Sequence, residues 1–208
     1  EEMYLNSLEI FLNERHVDKK DTIVIFEITM IDLANDGEID EKDFMDRAKL
    51  LGSLGETVLI TNFKEYYRLV EYFSQYTKKK IGLTMGVNNL IRVFDPKYYT
   101  HLSGGIMEAF GKLFFKNMKI YLYPVLNEED EIINSENLKV HPRMKELYKF
   151  LKFNGKVVDL NKYNLKSLKI YSHEVLVKIK ENSVGWESLL PKAVASKIKK
   201  FNFFGYKK

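Results

Sequence analysis

The sequence predicts an α/β protein whose mostly parallel sheet is assembled from repeated strand–helix units. Short β-branched runs alternate with apolar patterns of helical period, and glycines or helix-capping residues fall at the junctions. Five such strands suit an open, doubly wound, Rossmann-like sheet or part of a barrel better than a complete eight-stranded barrel.

Each element has its own signal. Leu5, Leu8, Phe11 and Leu12 sit at helical spacing within residues 2–14. The run from Thr22 to Thr29 is short and β-branched and predicts a buried strand. Asp40 is placed to cap a helix carrying Phe44, Ala48, Leu50 and Leu51, and Gly55 ends it. Residues 57–61 predict the next strand, and Tyr66 to Tyr76 a helix with Tyr66, Leu69, Val70 and Phe73 on one face. Strands at 80–84, 118–123 and 156–160 follow, with helices over 104–115 and 142–153. Pro142 suits a first helical turn and Gly155 a stop. Residues 165–208 read as helices broken by Gly185 and Pro191. No repeat or low-complexity linker divides the chain. The expected organisation is an α/β domain over 1–164 with a helical C-terminal extension, 165–208, packed on it.

The 208 residues, 45% hydrophobic and 30% charged, are enough for a large core. The absence of cysteine excludes disulfides and thiolate metal sites, and a reducing, cytoplasmic location is expected. The longest apolar runs are strand-sized, so no membrane span is expected. Residue 1 is Glu rather than Met, so a preceding N-terminal domain of a longer chain is an expected partner. The net charge of +4 is uneven: residues 1–50 hold 14 acids and 6 bases, and the remainder 15 acids and 27 bases. A basic half attracts anions, although abundant lysine also accounts for the bias.

In parallel α/β folds ligands sit at the carboxyl ends of strands. That rule selects Glu27, Thr61, Asn62, Thr84, Gly86, Asn88 and Asn89, a set rich in amides and hydroxyls that suits a polar ligand. Thr29 and Tyr123 end strands as well. The same residue types also cap ordinary turns. Glu27 interrupts an apolar strand, where a carboxylate is costly unless paired or functional, and is the candidate general base. Ser103-Gly104-Gly105 precedes a helix and could bring backbone N–H groups to an anion, or form a plain turn. All these residues are expected to converge on one cleft.

Other motifs carry less. Asp32, Asp36, Gly37, Ile39 and Asp40 match positions of a calcium loop, but Ala34 removes one ligand and Asp43 replaces the bidentate Glu, so calcium binding is not expected. His16, His101, His141 and His173 are scattered, and no metal site is expected. The stretch Lys197 to Tyr206 interleaves bases and aromatics. Its aromatics are expected to pack on the body, and nucleic acid is not an expected partner.

Two resemblances follow from these residues. Ile23-Val-Ile-Phe-Glu-Ile-Thr29 with Val58-Leu-Ile-Thr-Asn62 resembles the opening strands of haloacid-dehalogenase-type phosphatases, with Thr61 the clean match. The nucleophilic aspartate is missing, with Glu27 and Thr29 near its place. Thr61 to Phe73, Gly82-Leu-Thr-Met-Gly86 and Gly104-Gly-Ile-Met-Glu-Ala-Phe-Gly111 resemble an uncharacterised bacterial protein family loosely labelled nicotinate-nucleotide adenylyltransferase, of which this chain would be the C-terminal part. Neither the Gly-x-Phe-x-Pro-x-His-x-Gly-His loop nor the Ile-Ser-x-Thr-x-x-Arg loop of true adenylyltransferases is present. The resemblance implies a bacterial, cytoplasmic α/β protein.

Two functions remain open. One is a small-molecule enzyme domain binding a phosphorylated or nucleotide-like anion at the strand ends, with the cofactor unknown. The other is a non-catalytic domain that packs on and regulates an N-terminal half.

Overall fold

The structure, a computed structural model, describes residues 1–29, 34–35, 38–115 and 117–207. In chain order its first elements are α1 (Glu2–Leu12), β1 (Phe26–Thr29), β2 (Ala34–Asn35), β3 (Glu38–Ile39), α2 (Glu41–Ser53), β4 (Val58–Thr61) and α3 (Tyr66–Tyr76). There follow β5 (Ile81–Gly86), α4 (Val87–Val93), α5 (Gly105–Leu113), β6 (Met118–Tyr123), β7 (Val125–Leu126) and β8 (Ile132–Ile133). The chain closes with α6 (Lys145–Phe153), β9 (Val157–Asp159), α7 (Ser172–Lys180) and α8 (Lys192–Phe201). Within the candidate calcium loop, 32–43, residues 32–33 and 36–37 lie outside the described residues, and Asp40 caps α2.

The result is a mixed α/β protein with small parallel sheets. β1 pairs parallel with β4, and β5, β6 and β9 form a parallel sheet in that order. Among the described residues the expected single parallel sheet is thereby corrected to two parallel sheets, beside the antiparallel pairs β2–β3 and β7–β8. Strand–helix alternation specifies parallel pairing but not which strands become neighbours, because that choice is made by long-range packing. The chain divides into two units, each drawn from two stretches: Glu1–Thr22 with Glu65–Asn164, and Ile23–Lys64 with Leu165–Lys208. Residues 23–64, expected within the first domain, group with the C-terminal helices instead.

In the first unit, β6 alternates strictly. Met118, Ile120 and Leu122 are buried against one core. That core takes Leu90 and Phe94 from α4 and its end, Phe110 and Leu113 from α5, and Tyr148 and Leu151 from α6. Its aromatic rings meet edge-on, Phe94 against both Phe110 and Tyr148, a geometry that aromatic quadrupoles favour. Lys119, Tyr121 and Tyr123 point the other way, toward α1. Phe11 of α1 stands edge-on to Tyr121 at 6.2 Å. Gly82 makes room for both rings: a Cβ there would lie 2.8 Å from Tyr121 and 3.0 Å from Phe11. Beyond α1, Glu14 accepts hydrogen bonds from Lys80 and Lys119, each at 2.7 Å, and from Tyr121 at 2.6 Å. On the core side Ser135 donates to Asp159 through its N–H and its hydroxyl, and Tyr148 donates to the Ser135 carbonyl. These bonds tie the chain after β8 to β9 and α6.

In the second unit a separate core joins α7, α8 and the C-terminal turn, with Trp186, Ile198 and Ile179 buried. Phe203 and Phe204 of the tail pack into it, as the tail's alternation of bases and aromatics predicts. No helix among the described residues is long and apolar enough to cross a membrane.

Candidate functional site

The strand-end residues fall into two groups. In the second unit β1 and β4 run in register, Glu27 opposite Leu59 and Thr29 opposite Thr61. Glu27, Thr29 and Thr61 therefore share a face. The buried Thr61 hydroxyl donates to Glu27. Thr29 donates to the Phe63 carbonyl at 3.1 Å, and Asn62 is exposed. In the first unit Thr84 lies under α1 and donates to Ser7 at 2.7 Å. Gly86 caps α4, and Asn88 and Asn89 are exposed on its first turn. β1–β4 and β5–β6–β9 are separate sheets, each within its own unit, so the two groups share no sheet edge.

The first unit also lacks the usual reason for a crevice. Helices α4, α5 and α6, from both crossovers, contribute to one core on one face of β5–β6–β9. The strand order proceeds without reversal, so these three strands make no topological switch point. At Ser103-Gly104-Gly105, Gly104 caps α5, but its N–H already donates to Glu108 at 3.1 Å. That bond is the main reason the Glu108 carboxyl sits below its usual pKa. The anion expected at this helix start is thus supplied by the chain itself. Gly105 takes φ +54°, a conformation that suits glycine.

The second unit holds an apolar cavity of about 240 Å³. Its walls come from α2, α7 and α8, with Leu50, Val175, Ile179, Val194 and Ile198 among them. Arg47 supplies a charge and Ser172 a hydroxyl. Arg47 lies one turn beyond Asp43 on α2 and donates through Nε to that carboxylate at 2.6 Å. Its guanidinium lies 5.9 Å from the Phe204 ring centre, also a wall residue. The two terminal nitrogens of Arg47 donate to no described residue.

Phe204 has φ +58°, a left-handed conformation that a bulky side chain rarely takes. Asp46 holds it there by accepting its N–H at 2.6 Å. Strain of this kind persists only where neighbours enforce it, and it concentrates at ligand clamps. Asp43 Oδ1 is buried without a hydrogen-bond partner among the described residues.

Sequence reasoning missed this cavity. The 3–4–7 spacing of Asp43, Asp46, Arg47 and Leu50 puts them on one face of α2. A charge-bearing face with a single apolar residue was the available signal. Among the described residues no group of three or more His, Asp or Glu side chains could hold a metal ion. No family model, curated protein or solved structure matches the chain.

Proposed function

We propose that the chain is a ligand-binding α/β protein whose second unit takes up a small anion with an apolar body. The observation that carries this reading is the apolar cavity with a guanidinium at its wall whose terminal nitrogens have no described partner. Apolar walls with few polar groups are the usual make-up of a small-molecule site, and an arginine fork matches a carboxylate or phosphate. Hexanoate, a carboxylate on a short apolar chain, matches the chemistry of those walls and serves as the probe. Trp186, the single tryptophan, belongs to the same core and provides a fluorescence signal. Titration with hexanoate is expected to change Trp186 emission with saturation, and hexanol to bind at least ten-fold more weakly. Arg47→Met should abolish that preference. Equal response to acid and alcohol, or none to either, rejects the reading.

A second reading keeps the strand ends. It assigns a phosphorylated or nucleotide-like substrate to the carboxyl edge of β1–β4, with Glu27 as base, and is supported by the Glu27–Thr61 hydrogen bond. Under it Glu27→Gln keeps its melting temperature, or gains a little by losing a half-buried charge. Unfolding of that variant would make Glu27 a structural partner. The regulatory alternative is supported by Ile23, Ile25 and Ile60, which are exposed on and beside the same strand pair. A Rossmann-like description of β5–β6–β9 is supported by helices on both faces, and a cytoplasmic location by the cysteine-free composition.

A further inference from the structure

We infer that the amino-terminal edge of the β5–β6–β9 sheet, with the end of α3, is a binding surface for single-stranded nucleic acid. The inference stands apart from the cavity of the second unit, since every residue it uses belongs to the first.

The charge is built in by register. Lys80, Lys119 and Lys156 each stand at or beside the first residue of a strand. The register sets 82 beside 119 and 120 beside 157, so positions 80, 119 and 156 fall on the same side of the pleat, the α1 face. Lys80 and Lys119 both reach Glu14. Lys156 has its pKa lowered by burial and by the charge of Lys119. Glu14 is thus shared by two lysines, while Lys156 donates to the Phe115 and Met118 carbonyls at 3.4 Å. Lys79 extends the surface and meets Asp21 at 2.6 Å, both side chains largely exposed. Lys78 lies 5.9 Å above the Phe115 ring. Lys78, Lys79, Lys80 and Lys119 against Glu14 and Asp21 leave a surplus of positive charge at one edge.

Aromatic faces adjoin this edge. Tyr76 is the last residue of α3, two residues before Lys78, and is 71% exposed. Tyr72 lies one turn earlier, 39% exposed, with ring centres 5.1 Å apart. Large exposed aromatics cost free energy in water unless something covers them. Unpaired bases stack on such faces while lysines follow the phosphates, which is the pattern of sequence-tolerant single-strand binding. Among the residues that define the surface there is no arginine, the side chain best suited to reading guanine by a bidentate bond. Stacked bases within a duplex present no free face to the tyrosines.

Fluorescence anisotropy with a labelled twelve-nucleotide oligothymidylate tests this on the full chain. Neutralising about three phosphates predicts a salt slope near −2, so affinity should fall roughly twenty-fold from 50 to 200 mM salt. Tyr72→Ala with Tyr76→Ala should weaken binding at least five-fold with the salt slope unchanged. Lys79→Gln should reduce the slope by about 0.7. All three positions are exposed, so the fold is spared. A duplex of equal length should bind more weakly. The proposal is overturned if no binding occurs at 50 mM salt, if the duplex binds as well, or if the tyrosine pair is indifferent. Equal competition by inorganic polyphosphate together with tyrosine indifference would mark the edge as a general anion patch.

Discussion

Glu14 shows how one side chain can hold several elements. Burial pushes its carboxyl pKa up, but hydrogen bonds from Lys119, Lys80 and Tyr121 outweigh that and hold it at about 2. A carboxyl whose pKa falls on folding stabilises the native state above its unfolded value of 4.5. The contribution is lost as pH drops from 4.5 toward 2. With its side chain only 11% exposed, it is worth roughly 2–3 kcal/mol. Glu14→Gln should therefore be less stable than the parent at pH 7. The gap should close by pH 2, as read from denaturant midpoints at each pH. A gap that stays constant across this range would mean that charge is not what Glu14 contributes. The sequence does not advertise this residue. Glu14 follows a helix in a polar stretch, and its partners lie more than sixty residues away. Glu27, by contrast, stands out in an apolar strand, and it does have the hydrogen-bonded partner that its burial requires.

At the scale of elements, local chemistry was legible where it was self-sufficient. The apolar runs expected at 57–61 and 118–123 are strands β4 and β6, since β-branched and aromatic residues bounded by breakers have few other stable uses. Asp40 caps α2, accepting from the Asp43 N–H. Helix α4 was not legible: Asn88-Asn89 reads as a turn, yet Val87, Leu90 and Val93 are buried and hold it helical. The cavity was hidden because α2 and α7 are brought together from distant parts of the chain. Within it, the grip of α2 on Phe204 can be measured. Asp46→Ala removes the acceptor that holds a left-handed phenylalanine, leaving a buried N–H unsatisfied at a cost of about 1–3 kcal/mol. Asp46→Asn, which keeps an acceptor oxygen, should cost less. Denaturation followed by Trp186 emission checks both, and equal losses would show that the hydrogen bond is not what holds Phe204.

At the scale of the whole molecule, the units are interleaved along the chain. A chain ending at residue 164 contains all of the first unit but only the 23–64 part of the second. It should keep the β5–β6–β9 core protected from hydrogen exchange while amides of α2 exchange as in an unfolded segment. Protection of α2 in that truncated chain would mean that 1–164 is a domain in its own right. The expected boundary at 164 was read from a change of pattern, from strand–helix alternation to helices alone. Pattern reports what an element is, whereas partnership across the chain is decided by which apolar faces meet.

Interleaving also sets an order of events on the ribosome. The first unit can close once residue 164 has emerged, but α2 has no partner until 165–208 follows. At about 5–20 residues per second that stretch takes roughly 2–9 s to synthesise. Throughout that interval Leu50 and the strands β1 and β4 lack their C-terminal half and stay exposed to chaperones and proteases. A ribosome that pauses after codon 164 would lengthen the exposure, and a faster one would shorten it. The yield of folded protein should thus depend on how quickly the stretch encoding residues 165–208 is read.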